Sequence, residues 1–221
     1  MKKPPQIKIN TIAQKILHNG FLGINRREIE IVYPDMGPCS IDNQTMTVDS
    51  VIRKSNDAVA IVAHFELNKE KYIYLRSCIR PAAMFRDYTS DSERPEDDEI
   101  GNFFELPAGL VDDVEKGFGG LRVAAARELY EETGFICNIS DLNLLGPRYF
   151  SSPGMSAERI WFFEVEVNPL EQCAPINDNS PLEMGADVIA VKLSEALQAI
   201  ENEEILDAKT QMGIMRLANK R

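Results

Sequence analysis

The sequence predicts a layered α/β or α+β domain with a small N-terminal β appendage. Three observations point there. Short apolar stretches with strand-like alternation recur along the chain, a helix over 121–133 interrupts them, and two further helices, 194–201 and about 207–219, close it. With 221 residues, 44% hydrophobic and 27% charged, the chain can bury one sizeable core and an appendage.

Taken in order, residues 20–53 alternate in short runs (Phe21, Leu22, Ile24; Ile29, Ile31, Tyr33; Met46, Val48, Val51) punctuated by Pro34, Gly37, Pro38 and Asn43. They read as strands and turns. Residues 59–65 and 72–75 are core strands around the turn-like Asn68-Lys69-Glu70, and 103–106 forms another that ends at Pro107. Asp87 to Glu99 carries seven acids against the single base Arg94; such a run stays solvated and mobile, with no catalytic role. The 121–133 helix stops at Gly134, a natural C′ residue, and strands follow at 142–145 and 160–167. The division expected is residues 1–50 as the appendage and 51–221 as the main domain.

Lys and Arg number 24 against 35 Asp and Glu, a net charge of −11 that opposes nucleic-acid binding and means a small anionic substrate needs local cations. Met1-Lys2-Lys3 is followed by Pro4, Pro5 and Gln6 rather than an apolar signal core, and the longest apolar run, 58–63, is too short to span a bilayer. A soluble, cytoplasmic chain with no membrane partner is expected. Cys39, Cys78, Cys137 and Cys173 lie far apart, with only His18 and His64 to complete a zinc site, so reduced structural cysteines are expected. P-loop, G-x-S-x-G and H-E-x-x-H motifs are absent.

The chemistry concentrates on the central helix. At 100° per residue Glu128 and Glu132 fall within about 20° of Leu121, and Glu131 about 80° to one side. Their neighbours on that face are Ala124, Ala125 and Leu129, so the carboxylates sit in a stripe that turns inward. Arg127 can pair with Glu131 at i+4, but one guanidinium cannot neutralise three carboxylates. A divalent cation can, and Mg²⁺ takes oxygen ligands of this kind together with water and phosphate. A bare E-x-x-E-E cluster is more often a charged surface; its context here changes that.

Gly109-Leu110-Val111-Asp112-Asp113-Val114-Glu115, followed by Arg127-Glu128-Leu129-Tyr130-Glu131-Glu132-Thr133-Gly134-Phe135, resembles the signature of the Nudix hydrolases, G-x5-E-x7-R-E-U-x-E-E-x-G-U with U bulky and apolar. Eleven residues separate Glu115 from Arg127 where that family has seven. The surplus is assigned to a loop at Gly117-Phe118-Gly119-Gly120, which puts in question whether Glu115 reaches the metal. Glu105-Leu106-Pro107-Ala108-Gly109, Arg80 in Arg76-Ser77-Cys78-Ile79-Arg80, Ser152-Pro153-Gly154 with the downstream Glu158, and Asp207-Ala208-Lys209-Thr210 resemble the ADP-ribose pyrophosphatase branch. Cys78 stands where that branch has Gln.

The resemblance implies a Nudix fold, an α/β/α sandwich around a mixed sheet. It also implies a homodimer built through the N-terminal strands. The implied activity is Mg²⁺-dependent hydrolysis of ADP-ribose or a related nucleoside diphosphate sugar, with Mn²⁺ as a substitute. In the implied site the Ala108 carbonyl, Glu128, Glu132 and Glu115 hold metal, Arg80 binds substrate, Arg127 supports the acids, and Glu158 is the general base with Glu131 as the alternative. A silent Nudix-fold sensor that binds ADP-ribose-like ligands to regulate a partner is the competing reading.

Overall fold

The computed structural model describes residues 7–34, 42–85, 101–176, 182 and 186–220; the acidic stretch 87–99 and Cys39 lie outside the described residues. The chain divides into two compact units, one of residues 1–56 with 150–158 and one of residues 57–149 with 159–221.

The first unit is a three-stranded antiparallel sheet in the order β1-β2-β3: β1 (Lys8–Asn19), β2 (Gly23–Val32) and β3 (Gln44–Ile52). β1 lies outside the span from which alternation was read. Ile9 and Ile12 are an odd number of residues apart, and the register shift between Thr11 and Ala13 accounts for that, since a bulge resets which face a side chain occupies; a second shift follows between Ile16 and His18. These three isoleucines and Phe21 are exposed. Residues 150–158 join this sheet through the Val51 amide, which donates to the Met155 carbonyl at 2.9 Å.

The second unit is an eight-stranded mixed sheet. Its strands are β4 (Asp57–Leu67), β5 (Glu70–Ile79), β6 (Asn102–Glu105), β7 (Ala108–Leu110), β8 (Asn143–Leu144), β9 (Tyr149–Phe150), β10 (Arg159–Glu166) and β11 (Val188–Lys192). The backbone order is β11-β5-β4-β10-β8, with β6 on β5, β7 on β4 and β9 on β10. β4 and β10 are parallel; β4 and β5 form a hairpin whose turn residues Asn68 and Lys69 both have positive φ, as a type I′ turn requires.

β4 is buried on both sides, and its alternation shows how. Val59, Ile61 and Ala63 pack on Leu121, Ala124, Ala125 and Leu129 of α2 (Gly117–Thr133). Ala58, Ala60 and Val62 pack on Ala196 of α3 (Leu193–Glu201) and on Ile214 and Leu217 of α4 (Ala208–Ala218). The labels α2 to α4 follow a one-turn helix α1 (Pro81–Met84). This is an α/β/α sandwich around a mixed sheet, the predicted Nudix-type architecture. Among the described residues no helix is long and apolar enough to cross a membrane.

One local expectation is corrected. Gly117-Phe118-Gly119-Gly120 is not a loop: α2 begins at Gly117, so the four-residue surplus becomes its first turn. Gly117 takes φ +80°, and a Cβ at Gly120 would collide with the backbone carbonyl of Glu115. Gly117 thus supplies the positive φ that starts the helix and Gly120 the tight approach to the chain before it, rather than a flexible linker.

The far end of α2 stops where expected. Gly134 adopts φ 78° and its amide donates to the Tyr130 carbonyl at 2.9 Å. A Cβ there would also meet the Cys173 carbonyl. Gly134→Ala is therefore expected to destabilise by more than the roughly 1 kcal/mol usual for a left-handed position, because the clash with backbone adds to the strain. Thermal unfolding should show a Tm at least about 2–4 °C lower; an unchanged Tm would show that the α2 terminus can relax.

Candidate functional site

α2 turns Glu128 and Glu132 inward, each less than a tenth exposed, while Glu131 stays half-buried. They gather against β7. Glu132 accepts from the Ala108 amide at 2.7 Å, and Glu128 lies so close over Gly109 that any Cβ there would enter its carboxylate. Glycine permits that approach, which is a physical reason for the residue that opens the signature.

Arg127 is the hub. Its Nε and Nη2 donate to Glu115 at 3.0 and 3.1 Å, Nη1 donates to Glu128 at 2.7 Å and to Glu131 at 3.0 Å, and Nη2 also reaches the Leu110 carbonyl at 3.0 Å. Glu115 therefore meets the helix acids despite the surplus residues, and it accepts from the Asp112 amide at 2.8 Å as well. Burial pushes the Glu115 carboxyl up, but Arg127 and the Asp112 amide outweigh it and hold it below the usual range. Glu128 goes the other way: burial, with Glu131 and Glu115 nearby, outweighs Arg127 and raises it to about 7.

The fourth acid has its own cation, Arg76, buried on β5 and paired with Glu132. This partner was missed in the sequence. Strand period offered only a weak signal: Arg76 alternates with Tyr74 and Cys78 along β5, while Arg80 lies just past the strand's end at Ile79. Arg80 does not stand alone either: Nε and Nη2 donate to the two oxygens of buried Glu105 at 2.8 and 2.7 Å, and Lys209 pairs with the same carboxylate. Burial pushes Glu105 up, yet Arg80 and Lys209 win and hold it down at about 2.

Glu158 belongs to the other unit and is described there. One oxygen pairs with Arg53, and the other accepts from the Ser151 hydroxyl at 2.8 Å. Arg159 is engaged elsewhere, bidentate on Asp57 at 2.9 Å.

The donor set fits a hard divalent cation in two respects. Every available ligand is oxygen, and Arg127 is divided among three carboxylates, leaving Glu128 under-compensated. Among the described residues, however, no three His, Cys, Asp or Glu side chains form a ready ligand cluster; the acids converge on Arg127 and Arg76 instead. Cys78, Cys137 and Cys173 are free thiols, and burial raises Cys78 to about 12.

No family model matches the chain. A stretch of 114 residues is 33% identical to a protein named methanol dehydrogenase activator from Bacillus methanolicus, covering 51% of this chain and 56% of that one. A stretch of 118 residues is 30% identical to an ADP-ribose pyrophosphatase from Bacillus subtilis (strain 168), covering 52% and 57%. The chain thus spans little more than half the length of these curated relatives. A crystal structure of an ADP compounds hydrolase superposes with TM-score 0.63 at 16% identity, over 98% of this chain and 95% of that one, and shows the shared fold.

The depressed Glu105 carboxyl has a pH consequence. A carboxyl held down in the folded state contributes stability that is present above its unfolded value of 4.5 and is lost as pH falls through about 2. Between those limits the wild type should lose stability with acid more steeply than Glu105→Gln. Parallel pH profiles of denaturant midpoints for the two proteins would show that Glu105 is not the responsible group.

Proposed function

On the premise that the chain is a Nudix-fold protein related at modest identity to the ADP-ribose pyrophosphatases, we propose that it hydrolyses the diphosphate bridge of ADP-ribose or a similar nucleoside diphosphate sugar. The products are a nucleoside monophosphate and a sugar phosphate, AMP and ribose 5-phosphate in the case of ADP-ribose. The observation that carries the reading is the buried acid cluster of α2 against β7, with more carboxylates than cations to answer them.

Glu128, Glu132 and Glu115, with the Ala108 carbonyl, would hold Mg²⁺ or Mn²⁺. When bound, the cation neutralises diphosphate oxygens and lowers the pKa of the attacking water. The protein's own groups do the rest. Arg127 keeps Glu115, Glu128 and Glu131 in one place, and Arg76 keeps Glu132 turned toward the Ala108 amide. Arg80, half-exposed while paired to Glu105, presents a planar guanidinium to a phosphate or ribose oxygen. Glu158 takes the proton from water, its two oxygens oriented by Arg53 and Ser151 and each keeping a lone pair for it. Glu131, fixed beside Arg127, is the alternative base.

A second reading has one observation in its favour: a relative at 33% identity is named an activator of another enzyme. In that reading the chain binds an ADP-ribose-like ligand without turnover and regulates a partner. A panel of nucleoside diphosphate compounds with Mg²⁺, products separated by chromatography, divides the two. Turnover of at least one member is expected, abolished by EDTA and largely lost in Glu132→Gln with the fold intact. No hydrolysis of any member by pure wild-type protein would remove the hydrolase reading.

The base candidates separate by kinetics. Glu158→Gln should lower kcat by roughly 10²–10⁴-fold with little change in KM or Mg²⁺ requirement. Glu131→Gln should weaken Mg²⁺ affinity and stability together, because it disturbs the Arg127 hub. Recovery of Glu158→Gln in excess Mg²⁺ would make Glu158 a ligand, and a silent substitution would end its claim.

The assembly proposed is a homodimer through the N-terminal sheet, supported by the exposed Ile9, Ile12, Ile16 and Phe21 of a sheet with three strands. Light scattering at micromolar concentration is expected to give twice the chain mass of 24.8 kDa; a monomer mass would refute it.

A further inference from the structure

The Asp207-Ala208-Lys209-Thr210 start of α4 packs on the sheet face opposite α2, yet it touches the chain that carries the acid site. That chain is the stretch 105–109, which runs from the last residue of β6 through Leu106 and Pro107 into β7, and each of its residues is fixed by something different. Glu105 is held by Arg80 and Lys209, and the Leu106 amide donates to Thr210 Oγ1 at 2.9 Å. The Pro107 carbonyl accepts from the Ile61 amide at 2.9 Å. The Ala108 amide donates to Glu132 at 2.7 Å, and Gly109 underlies Glu128. The first two residues answer to α4 and the last two to α2.

Thr210 is fully buried, and its hydroxyl is directional. The single hydroxyl proton goes to Asp207 Oδ2 at 2.6 Å, the same oxygen that accepts the Thr210 amide at 2.9 Å and Lys209 Nζ at 3.0 Å. A carboxylate only accepts, so the hydroxyl lone pairs are left for the Leu106 amide. Asp207 thus caps α4 and aims Thr210 in one arrangement. α4 packs close behind it: at Gly213, one turn further, a Cβ would meet the end of the Leu106 side chain. Leu106 to Ala108 is two residues of extended chain, about 7 Å, so a shift at Thr210 reaches the backbone that Glu132 and Glu128 grip.

We propose that Thr210 and Lys209 are positioning residues for the diphosphate-cleaving site: from the far side of the sheet they set where the Ala108–Gly109 backbone sits beneath Glu132 and Glu128. For catalysis this rests on the hydrolase reading above. Neither residue touches the substrate; both act through the 105–109 link.

The test uses Thr210→Val, which keeps the shape and removes the acceptor, and Thr210→Ser, which restores it. In Thr210→Val, kcat for the nucleoside diphosphate hydrolysed by the wild type should fall roughly tenfold or more, since small misplacements of reacting groups are costly. KM should move much less, and Thr210→Ser should recover most of the rate. Amide hydrogen exchange should quicken at Leu106 and Ala108 while Ile214 and Leu217 in the body of α4 keep wild-type protection. Unchanged exchange at Ala108, or a uniform rise through α4 and β4, would overturn the proposal, the second outcome marking Thr210 as merely structural. If the wild type hydrolyses nothing, the hydrolase reading fails by itself, and exchange at Ala108 alone decides whether α4 positions this backbone. Should Thr210→Val not fold, Lys209→Met is read by the same measurements with the same outcomes.

Discussion

Four carboxylates held by two guanidinium groups at the inner face of α2 set the terms for the rest of the second unit. Burying an ionised carboxyl without a partner costs several kcal/mol, and leaving one half-compensated costs part of that. The helix that carries these acids is also the one whose Leu121, Ala124, Ala125 and Leu129 cover the sheet, so it cannot rotate them out to water without unpacking the core. Arg127 and Arg76 reduce the penalty, and a glycine at 109 lets the carboxylate rest on bare backbone. The site is a compromise between packing and charge.

Buried glutamates in this unit fall into two kinds. Glu105 is held down by Arg80 and Lys209, and Glu164, on β10, is likewise lowered on balance, with Lys220 and His64 as its partners against the effect of burial. These are answered charges, and they tie elements together. Glu128 is the opposite case, raised to about 7 because burial and the neighbouring acids exceed what a shared Arg127 supplies. The residue type and the unit are the same and the shifts are opposite: an imbalance of that sort marks where an incoming charge would be welcome.

Much of this was readable from the residues. The inward face of α2 followed from the helical period, the Gly134 stop from its place after Thr133, and the β4–β5 hairpin from Asn68-Lys69. What escaped had physical causes. β1 hides because a bulge between Thr11 and Ala13 breaks its alternation, so Ile9 and Ile12 fall at a spacing no flat strand puts on one face. Arg76 hides because its partner Glu132 lies 56 positions away, and pairing across that distance depends on which strand faces which helix. The glycine run that opens α2 was misjudged because glycine usually marks a loop, whereas here Gly117 supplies a positive φ and Gly120 a close approach to the Glu115 backbone. The coupling of Thr210 to Leu106, 104 positions apart, needed the sandwich itself.

The extra first turn of α2 also bears on how such chains are related to one another. A helix is clocked from whichever end is anchored, and α2 is anchored at Gly134, where the left-handed stop and the Cys173 backbone fix its angle. Four more residues at the free end add about 6 Å of length without turning Glu128, Glu131 or Glu132 by a degree. The gap between Glu115 and Arg127 can therefore hold a full extra turn, because the chain doubles back over itself and the Arg127 guanidinium still meets the Glu115 carboxylate at 3.0 Å. Distance along the chain and distance in space part company at that spot.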